Sequence, residues 1–511
     1  MGLPKDRETE LKLRCMDPST WEGIMSAQSL TKKVVPKSQK REMLETHYFD
    51  TATCSLQKAS IAYRIRREGD QWIATVKGGG SSSGGLHERQ EWNVLVNDPQ
   101  PDIAVFDGTA IGKRLLAVVG NEKLQSILLT RFERRQMDVI MPDGSQIEVA
   151  ADQGEVIAGV KRAPILEVEL ELKSGEVASL FRLGAELARE FPLLPEAESK
   201  YYRGIKLAGK DTTQTKQPYQ LPQVDKNKLV SEELSKALLQ LIGQYLENQQ
   251  NFLDNPALSE NIHEMRISLR RIRSVLDFAG ALATKQYKWY LTELKKFARM
   301  LAALREFDVA YASWRQVNEL QILKQKSKIN LGEYLCKNRQ LEAEKLYRVI
   351  IAGYATPLLL ELQAALLESK GQQVRDESTK MNEYAISRLA NWLKILTKLG
   401  KKVNWIATED LHKVRLQVKK IKYVAEIMQT AFYEVPQLVL RLDALQENLG
   451  YINDVYSTDS LLKVMLEGNE KIELYLEAGM VIGWQEREAL LVKHRMDKYW
   501  QNFYRTAQRW I

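Results

Sequence analysis

The hydrophobic pattern of this chain changes period once, near residue 209, and that change limits what the chain can fold into. Before it, short runs alternate apolar and polar residues; after it, apolar residues recur every three to four positions. Runs at 61–67, 71–77, 89–96, 131–140, 146–151 and 165–172 read as strands. Turn signals at Glu68-Gly69-Asp70, Pro142-Asp143-Gly144 and Ser174-Gly175 separate them. Two helical stretches, 111–119 and 176–190, interrupt the strands, and the run from Gly78 to Gly85 reads as a flexible hairpin tip. Many antiparallel strands at short spacing predict a closed barrel or a sandwich.

The 511 residues are enough for two or three domains. Residues 209–227 form a polar, Pro/Gln/Thr-rich linker between a strand-rich domain at 1–208 and an all-α bundle at 228–511, with helix breaks at Thr356-Pro357 and at 370–380. A net charge of +8 fits an anionic partner without specifying one. Cys15, Cys54 and Cys336 stand far apart with no metal-ligand spacing, which predicts reduced thiols in a cytoplasmic protein. The first residues are charged, with no apolar leader. The greasiest window, Val349 to Leu367, contains Pro357, Glu361 and Gln363, so it predicts a buried helix and no membrane partner.

The chemistry begins at Glu8-Thr9-Glu10-Leu11-Lys12. In a strand, Glu8, Glu10 and Lys12 project from one face. Arg64 and Arg66 share a face in the same way, as do Glu148 and Asp152, and then Glu167, Glu169 and Glu171. Lys77, Arg89, Glu91, Arg131, Arg134 and Lys200 add charge on other segments. So many charges are ruinous to bury unpaired. Around a water-filled tunnel they have a use: bases hold phosphate oxygens, and acids hold Mg²⁺ or Mn²⁺.

Residues 6–206 resemble the CYTH family, the triphosphate tunnel metalloenzymes. The resemblance rests on Glu8-Thr9-Glu10-Leu11-Lys12, His47-Tyr48-Phe49-Asp50, Arg64-Ile65-Arg66, Thr75-Val76-Lys77, Glu167-Val168-Glu169-Leu170-Glu171 and Ser199-Lys200, in that order. It implies an eight-stranded antiparallel tunnel that hydrolyses the terminal phosphoanhydride of a triphosphate with a divalent metal. Glu8, Glu10 and Lys12 then belong to the catalytic centre. Glu8, Glu10, Glu167 and Glu169 are its metal ligands, with Glu148 and Asp152 on the same acidic wall. Lys12, Arg64, Arg66, Lys77, Arg134 and Lys200 would grip phosphate, and Arg131 is a further candidate. Alternation sets Arg131 and Arg135 on one face and Arg134 on the other, leaving open which points inward.

The helical half contains a repeat. His263, Arg266, Arg270 and Arg273 recur as His412, Arg415, Lys419 and Lys422, each 149 residues on. Each set forms one basic stripe beside an apolar one, Met265-Leu269-Ile272-Leu276 and Val414-Val418-Ile421-Ala425. Arg271 and Lys420 sit off the basic stripe. An echo follows each copy at Leu301–Glu306 and Leu449–Asp454. Like charges on adjacent turns call for a polyanion. Residues 228–508 resemble the CHAD domain, with Glu306 a departure from its usual Asp. That resemblance implies inorganic polyphosphate binding without catalysis. Metal ligation by the histidines is not expected, because no other His or Cys has suitable spacing. Nucleic acid is not expected either, because aromatics do not interleave with the basic residues.

These readings together predict a metal-dependent inorganic triphosphatase joined to a polyphosphate-binding module, with association with polyphosphate granules a corollary. The rivals are a hydrolase or cyclase of an organic triphosphate (thiamine triphosphate or ATP), with Tyr48, Tyr63 and Trp92 as base-binding candidates, and a non-catalytic polyphosphate-binding protein.

Overall fold

The computed structural model describes residues 7–210, 220–320, 330–368 and 379–511. About half of the expected linker, residues 211–219, and most of the expected break at 370–380 lie outside the described residues. The described chain divides into two compact units. One holds the residues up to 210 together with 350–367; the other holds the remainder.

Nine strands build the first unit: β1 (Arg7–Cys15), β2 (Lys40–Asp50), β3 (Ile61–Glu68), β4 (Gln71–Ser83), β5 (Leu86–Val96), β6 (Gln125–Ile140), β7 (Gln146–Ala158), β8 (Lys161–Ser174) and β9 (Leu193–Pro195). The sheet runs β5-β4-β3-β2-β6-β7-β8-β1, and pairing of β1 with β5 closes it into an eight-stranded antiparallel barrel. The short β9 adds to the end of β1.

The barrel is turned inside out relative to an oil-filled one. On β1, Leu11 and Leu13 point outward and are fully buried beneath Leu180, Leu183 and Leu187 of the helix Val177–Glu190. On β3 and β4, Ile61, Tyr63, Ile65, Ala74 and Val76 pack with Ile111 and Leu115 of the helix Ala110–Val119. Each large side chain so covered contributes about 1.5–3 kcal/mol. These outer layers carry the hydrophobic stabilisation, which leaves the inner face for charge. The helix Thr356–Glu368 belongs to this unit, with Leu360 and Ala364 in the same core as Leu180. The apolar window at 349–367 is thus broken at Thr356, and its second part is a buried helix.

The Gly/Ser run differs from expectation. β4 continues through it to Ser83, pairs Ser81 with Glu88, and shifts register between Gly78 and Ser81. Gly79 and Gly80 take positive φ there, which glycine tolerates, and only Gly84 and Gly85 are left to turn. Backbone pairing with β5 supplies the order that the composition lacks.

The second unit is helical. The helix Ser259–Ala279 carries His263 and the helix Thr408–Met428 carries His412; the two helices contact each other, and the predicted apolar stripe of each is buried. Each echo sequence lies on a long partner helix, Tyr287–Glu319 or Val435–Leu466. The off-stripe bases stitch the repeats: Arg271 pairs with Glu426 at 3.4 Å and Lys420 with Asp277 at 2.5 Å. Both the bases and the acids stand 149 residues apart, so the contact is reciprocal, as across a twofold axis.

No single helix among the described residues is long and apolar enough to cross a membrane.

Candidate active site

A cavity of about 610 Å³ runs inside the barrel, lined by nine basic and eight acidic side chains. β1 contributes Glu8, Glu10 and Lys12, β3 contributes Arg64 and Arg66, and β4 contributes Lys77. Arg134, Glu148, Glu169 and Lys200 complete the expected set on the cavity surface.

Arg131 is a correction. It lies on the outer face, half exposed, and pairs with Glu45 at 3.0 Å. Arg135 is outside too, with its guanidinium 4.0 Å from the Trp21 ring centroid and 2.9 Å from Glu22. Phe132 and Arg134 take the inner face. Arg134 donates to both oxygens of Asp152, at 2.8 and 2.7 Å, and to Glu169 at 2.6 Å. Flat alternation along β6 settles the orientation once one residue is placed.

Asp152 and Glu167 do not line the cavity. Both carboxylates are fully buried behind its wall. Lys200 lies 2.7 Å from Asp152 and 2.9 Å from Glu169, and it also pairs with Glu167. Oxygens of these three acids lie within 4.8 Å of one another, close enough to hold one cation between them. Asp152 and Glu167 thus stand with Glu169 in a group that could hold a metal ion, and in this structure Lys200 and its neighbours pair with them. Arg203, one helical turn after Lys200, pairs with Glu167 as well. Its i, i+3 spacing from Lys200 was the available signal.

Electrostatics sort the groups. Burial pushes the Glu8 carboxyl up, only partly offset by Lys77 at 2.5 Å. Burial would also raise Glu169, but Lys12, Lys200 and Arg134 hold it well below the ordinary range. Burial lowers Arg66 to about 10, helped by Arg64 and Arg134, which marks a spot short of negative charge. Glu91 accepts ion pairs from Lys77 at 3.0 Å and Arg64 at 3.6 Å.

The carboxylates that reach the cavity suit a divalent metal: Glu8 and Glu10 on β1, with Glu148, Glu169 and Glu171 from β7 and β8. The sequence reading missed Lys40, Glu42 and Lys173. Lys173 continues the parity of Glu167, Glu169 and Glu171, and it pairs with Glu171 at 2.9 Å. Of the aromatic candidates, Tyr63 and Trp92 pack in the outer core. Tyr48 lines the cavity but is 4% exposed and rests on Tyr201, with ring centroids 5.4 Å apart.

In the second unit the repeat helices bring their bases together. Arg266 donates to the carbonyls of Leu301 and Ala302, at 3.2 and 3.0 Å. Burial and the nearby Arg270 and Arg305 lower it to about 10. Lys419 is pushed down to about 6 by burial, then by Arg270 and Arg415. Burial and Arg270 also lower Arg273. His263 is half-buried and lowered by burial and Arg305, whereas His412 is exposed. Lys422 departs from the group, because Asp443 at 2.5 Å and Glu426 at 3.3 Å neutralise it. Glu260, His263 and Glu264 place ligand atoms within 4.8 Å of one another, a grouping that spacing of His and Cys alone overlooks.

Comparison with known proteins agrees with this division. Residues 6–205 match the family model of the CYTH domain, and residues 236–463 match that of the CHAD domain. A curated protein of Haemophilus influenzae named inorganic triphosphatase is 36% identical over 205 residues, 40% of this chain. The chain spans 56% of that relative's length. Among solved structures, the CHAD domain of Ricinus communis has a TM-score of 0.47 at 18% identity, covering 57% of this chain and 97% of that one. A proposed adenylyl cyclase from Hippeastrum, described as having a dominant triphosphatase activity, has a TM-score of 0.30 at 18% identity, covering 40% and 96%. The chain is thus built of two known families, a CYTH domain in its barrel and a CHAD domain in its repeated basic helices.

Proposed function

We propose that the barrel hydrolyses inorganic triphosphate to pyrophosphate and phosphate with Mg²⁺ or Mn²⁺, and that the helical unit binds inorganic polyphosphate. One observation carries the first part: nine bases and eight acids face each other around a single cavity. Nearly balanced charge does not suit a bare polyanion. It suits a polyanion that arrives with divalent cations, the bases meeting phosphate oxygens and the acids meeting metal. The H. influenzae relative's name supports the same reading.

In this reading Lys12, Arg64, Arg66, Lys77, Arg134 and Lys200 hold the phosphate chain in line. Glu8 and Glu10 hold metal together with Glu148 and Glu169. The bound metal supplies neutralisation of charge on the leaving pyrophosphate. Asp152 and Glu167 keep Lys200 and Arg134 charged and fixed, so the site is preorganised. No nucleophilic side chain is required. The near-complete burial of Tyr48, the one aromatic candidate at the cavity, favours an inorganic substrate over thiamine triphosphate or ATP.

The second part rests on the convergence of Arg266, Arg270, Arg415 and Lys419, whose mutual repulsion a polyphosphate relieves. Three free, separate cysteines support a cytoplasmic location.

Phosphate release from tripolyphosphate, ATP and thiamine triphosphate tests the enzyme, with Mg²⁺, Mn²⁺ or chelator. Tripolyphosphate should be preferred, and Glu8→Gln should abolish turnover. Activity that survives chelation, or equal use of ATP, would refute this reading. Retention on immobilised long-chain polyphosphate should drop sharply in an Arg270→Glu, Lys419→Glu double variant.

A further inference from the structure

His87 is 1% exposed on β5, directly opposite Glu10 of β1. Its Nε2 lies 3.0 Å from the carbonyl oxygen of Glu196, which can only accept, so Nε2 carries the proton. The Glu196 amide in turn donates to the Lys12 carbonyl at 2.9 Å, tying this contact to β1. On the other side of the ring, Nδ1 lies 3.4 Å from Nη2 of Arg89, which can only donate, so Nδ1 is the acceptor. Both nitrogens are therefore assigned, and the ring is neutral. Burial, then Lys12, pushes its pKa down to about 3, in keeping with that state.

Arg89 lines the cavity from the inner face of β5, two residues before Glu91. Lys12, Arg64, Arg66, Lys77, Arg134, Lys173 and Lys200 each have a carboxylate within 4.0 Å. Among the described residues Arg89 has none, and Glu91, its neighbour on the same face, is occupied by Lys77 and Arg64. The exposed Lys40 is the other lining cation without one. A guanidinium without an acid to orient it needs another anchor, and His87 supplies one.

We propose that His87 is a positioning residue: locked as its Nε2–H tautomer by the Glu196 carbonyl, it presents Nδ1 to Arg89 and aims that guanidinium into the tunnel as a cation kept available for phosphate. This rests on the triphosphatase reading. A neutral acceptor suits the task better than a carboxylate. It orients the guanidinium without cancelling its charge, so the full cation meets the substrate.

A double-mutant cycle tests the inference, measuring tripolyphosphate hydrolysis by wild type, His87→Gln, Arg89→Ala and the combination. His87→Gln can keep a donor for Glu196 at the Nε2 position, while its carbonyl oxygen hangs from Cδ, one carbon beyond the Cγ that carries Nδ1, so the acceptor no longer stands where Arg89 is held. The substitution should raise KM about tenfold with little change in kcat, and it should add nothing in the Arg89→Ala background. Additive effects, or an unchanged KM in His87→Gln, would overturn the proposal. A ¹⁵N spectrum of the histidine rings reads the same contact without turnover. The expected result is a neutral Nε2–H ring for His87 whose Nδ1 resonance shifts in Arg89→Ala. A cationic ring, an Nδ1–H tautomer or an unmoved resonance also overturns it. Should the wild type hydrolyse no triphosphate while the spectrum behaves as expected, the functional reading fails and the positioning contact stands.

Discussion

Lys420 reaches across the two repeat helices to Asp277 at 2.5 Å, and its ammonium also lies 4.0 Å from the Trp392 ring centroid. The companion pair, Arg271 with Glu426, repeats the contact in the opposite sense at 3.4 Å. Lys420→Glu should destabilise the helical unit by about 1 kcal/mol, since the pair is about a third exposed and partly screened. Adding Asp277→Lys should restore most of that. Thermal unfolding of the single and double variants checks it; an equal loss in both would mean that packing on Trp392, and not the ion pair, matters.

Arg131 and Arg134 provide a paired control. Arg134→Ala removes three hydrogen bonds to two buried carboxylates and should lower kcat/KM on tripolyphosphate by about a hundredfold or more. Arg131→Ala removes an exposed pair with Glu45 and should stay within about twofold of wild type and about 0.5 kcal/mol in stability. Equal losses in steady-state assays would put the wrong arginine in the tunnel.

Replacing Lys200 with Met should be costly even without substrate. It removes one cation from among three buried carboxylates, leaving Asp152 to Arg134 and Glu167 to Arg203. Removing one member of a buried charge network typically costs about 3–5 kcal/mol. Urea denaturation should show the barrel's midpoint falling, and Lys200→Arg should recover part of it. An unchanged midpoint would show that water reaches these acids.

Acid should loosen the barrel through Glu169 and Asp152. Burial alone would raise both carboxyls, but Lys12, Lys200 and Arg134 depress Glu169, and Arg134 and Lys200 depress Asp152. A depressed folded pKa stabilises above the unfolded value, near 4.5 for Glu and 3.8 for Asp, and that stabilisation is lost as the pH falls through the folded one. Stability from these groups should be flat from pH 5 to pH 8 and should decline below about pH 4. Denaturation midpoints across that range, with Glu169→Gln giving a shallower decline, test the sign.

Lys419 should couple polyphosphate binding to protons. Burial, Arg270, Arg415 and Arg266 lower it to about 6 against an ordinary 10.5, and Asp454 only partly offsets them. Between those values the folded chain holds fewer protons than the unfolded one, so this group makes stability rise with pH over that window. A bound polyanion favours the ammonium, so binding near pH 7.5 should take up a proton. Calorimetry in two buffers of different ionisation enthalpy reads it as a difference in heat. Lys419→Arg should bind yet lose the difference; identical heats in wild type would rule the coupling out.

Much of the site was legible because strand parity is local. Glu8, Glu10 and Lys12 share a face whatever they pair with, and so do Arg64 and Arg66. Parity cannot tell the inner face from the outer one where both are charged, and the Arg131–Arg135 run is such a place. There the outer layer decided, through Trp21 under Arg135 and Phe132 turned inward. Nor can it say which carboxylate meets solvent. Asp152 and Glu148 share parity on β7, yet one is fully buried against Lys200 and the other faces the cavity.

Periodicity, the E-x-E-x-K run and the 149-residue repeat are properties of the covalent chain, so a strand-built first half, a helical second half and most charged positions followed from the sequence by itself. Barrel closure, which acids line the cavity and which lie buried against an ammonium, and the contact of His87 with Glu196 required the tertiary structure. They depend on distances between segments far apart along the chain, which local pattern does not encode.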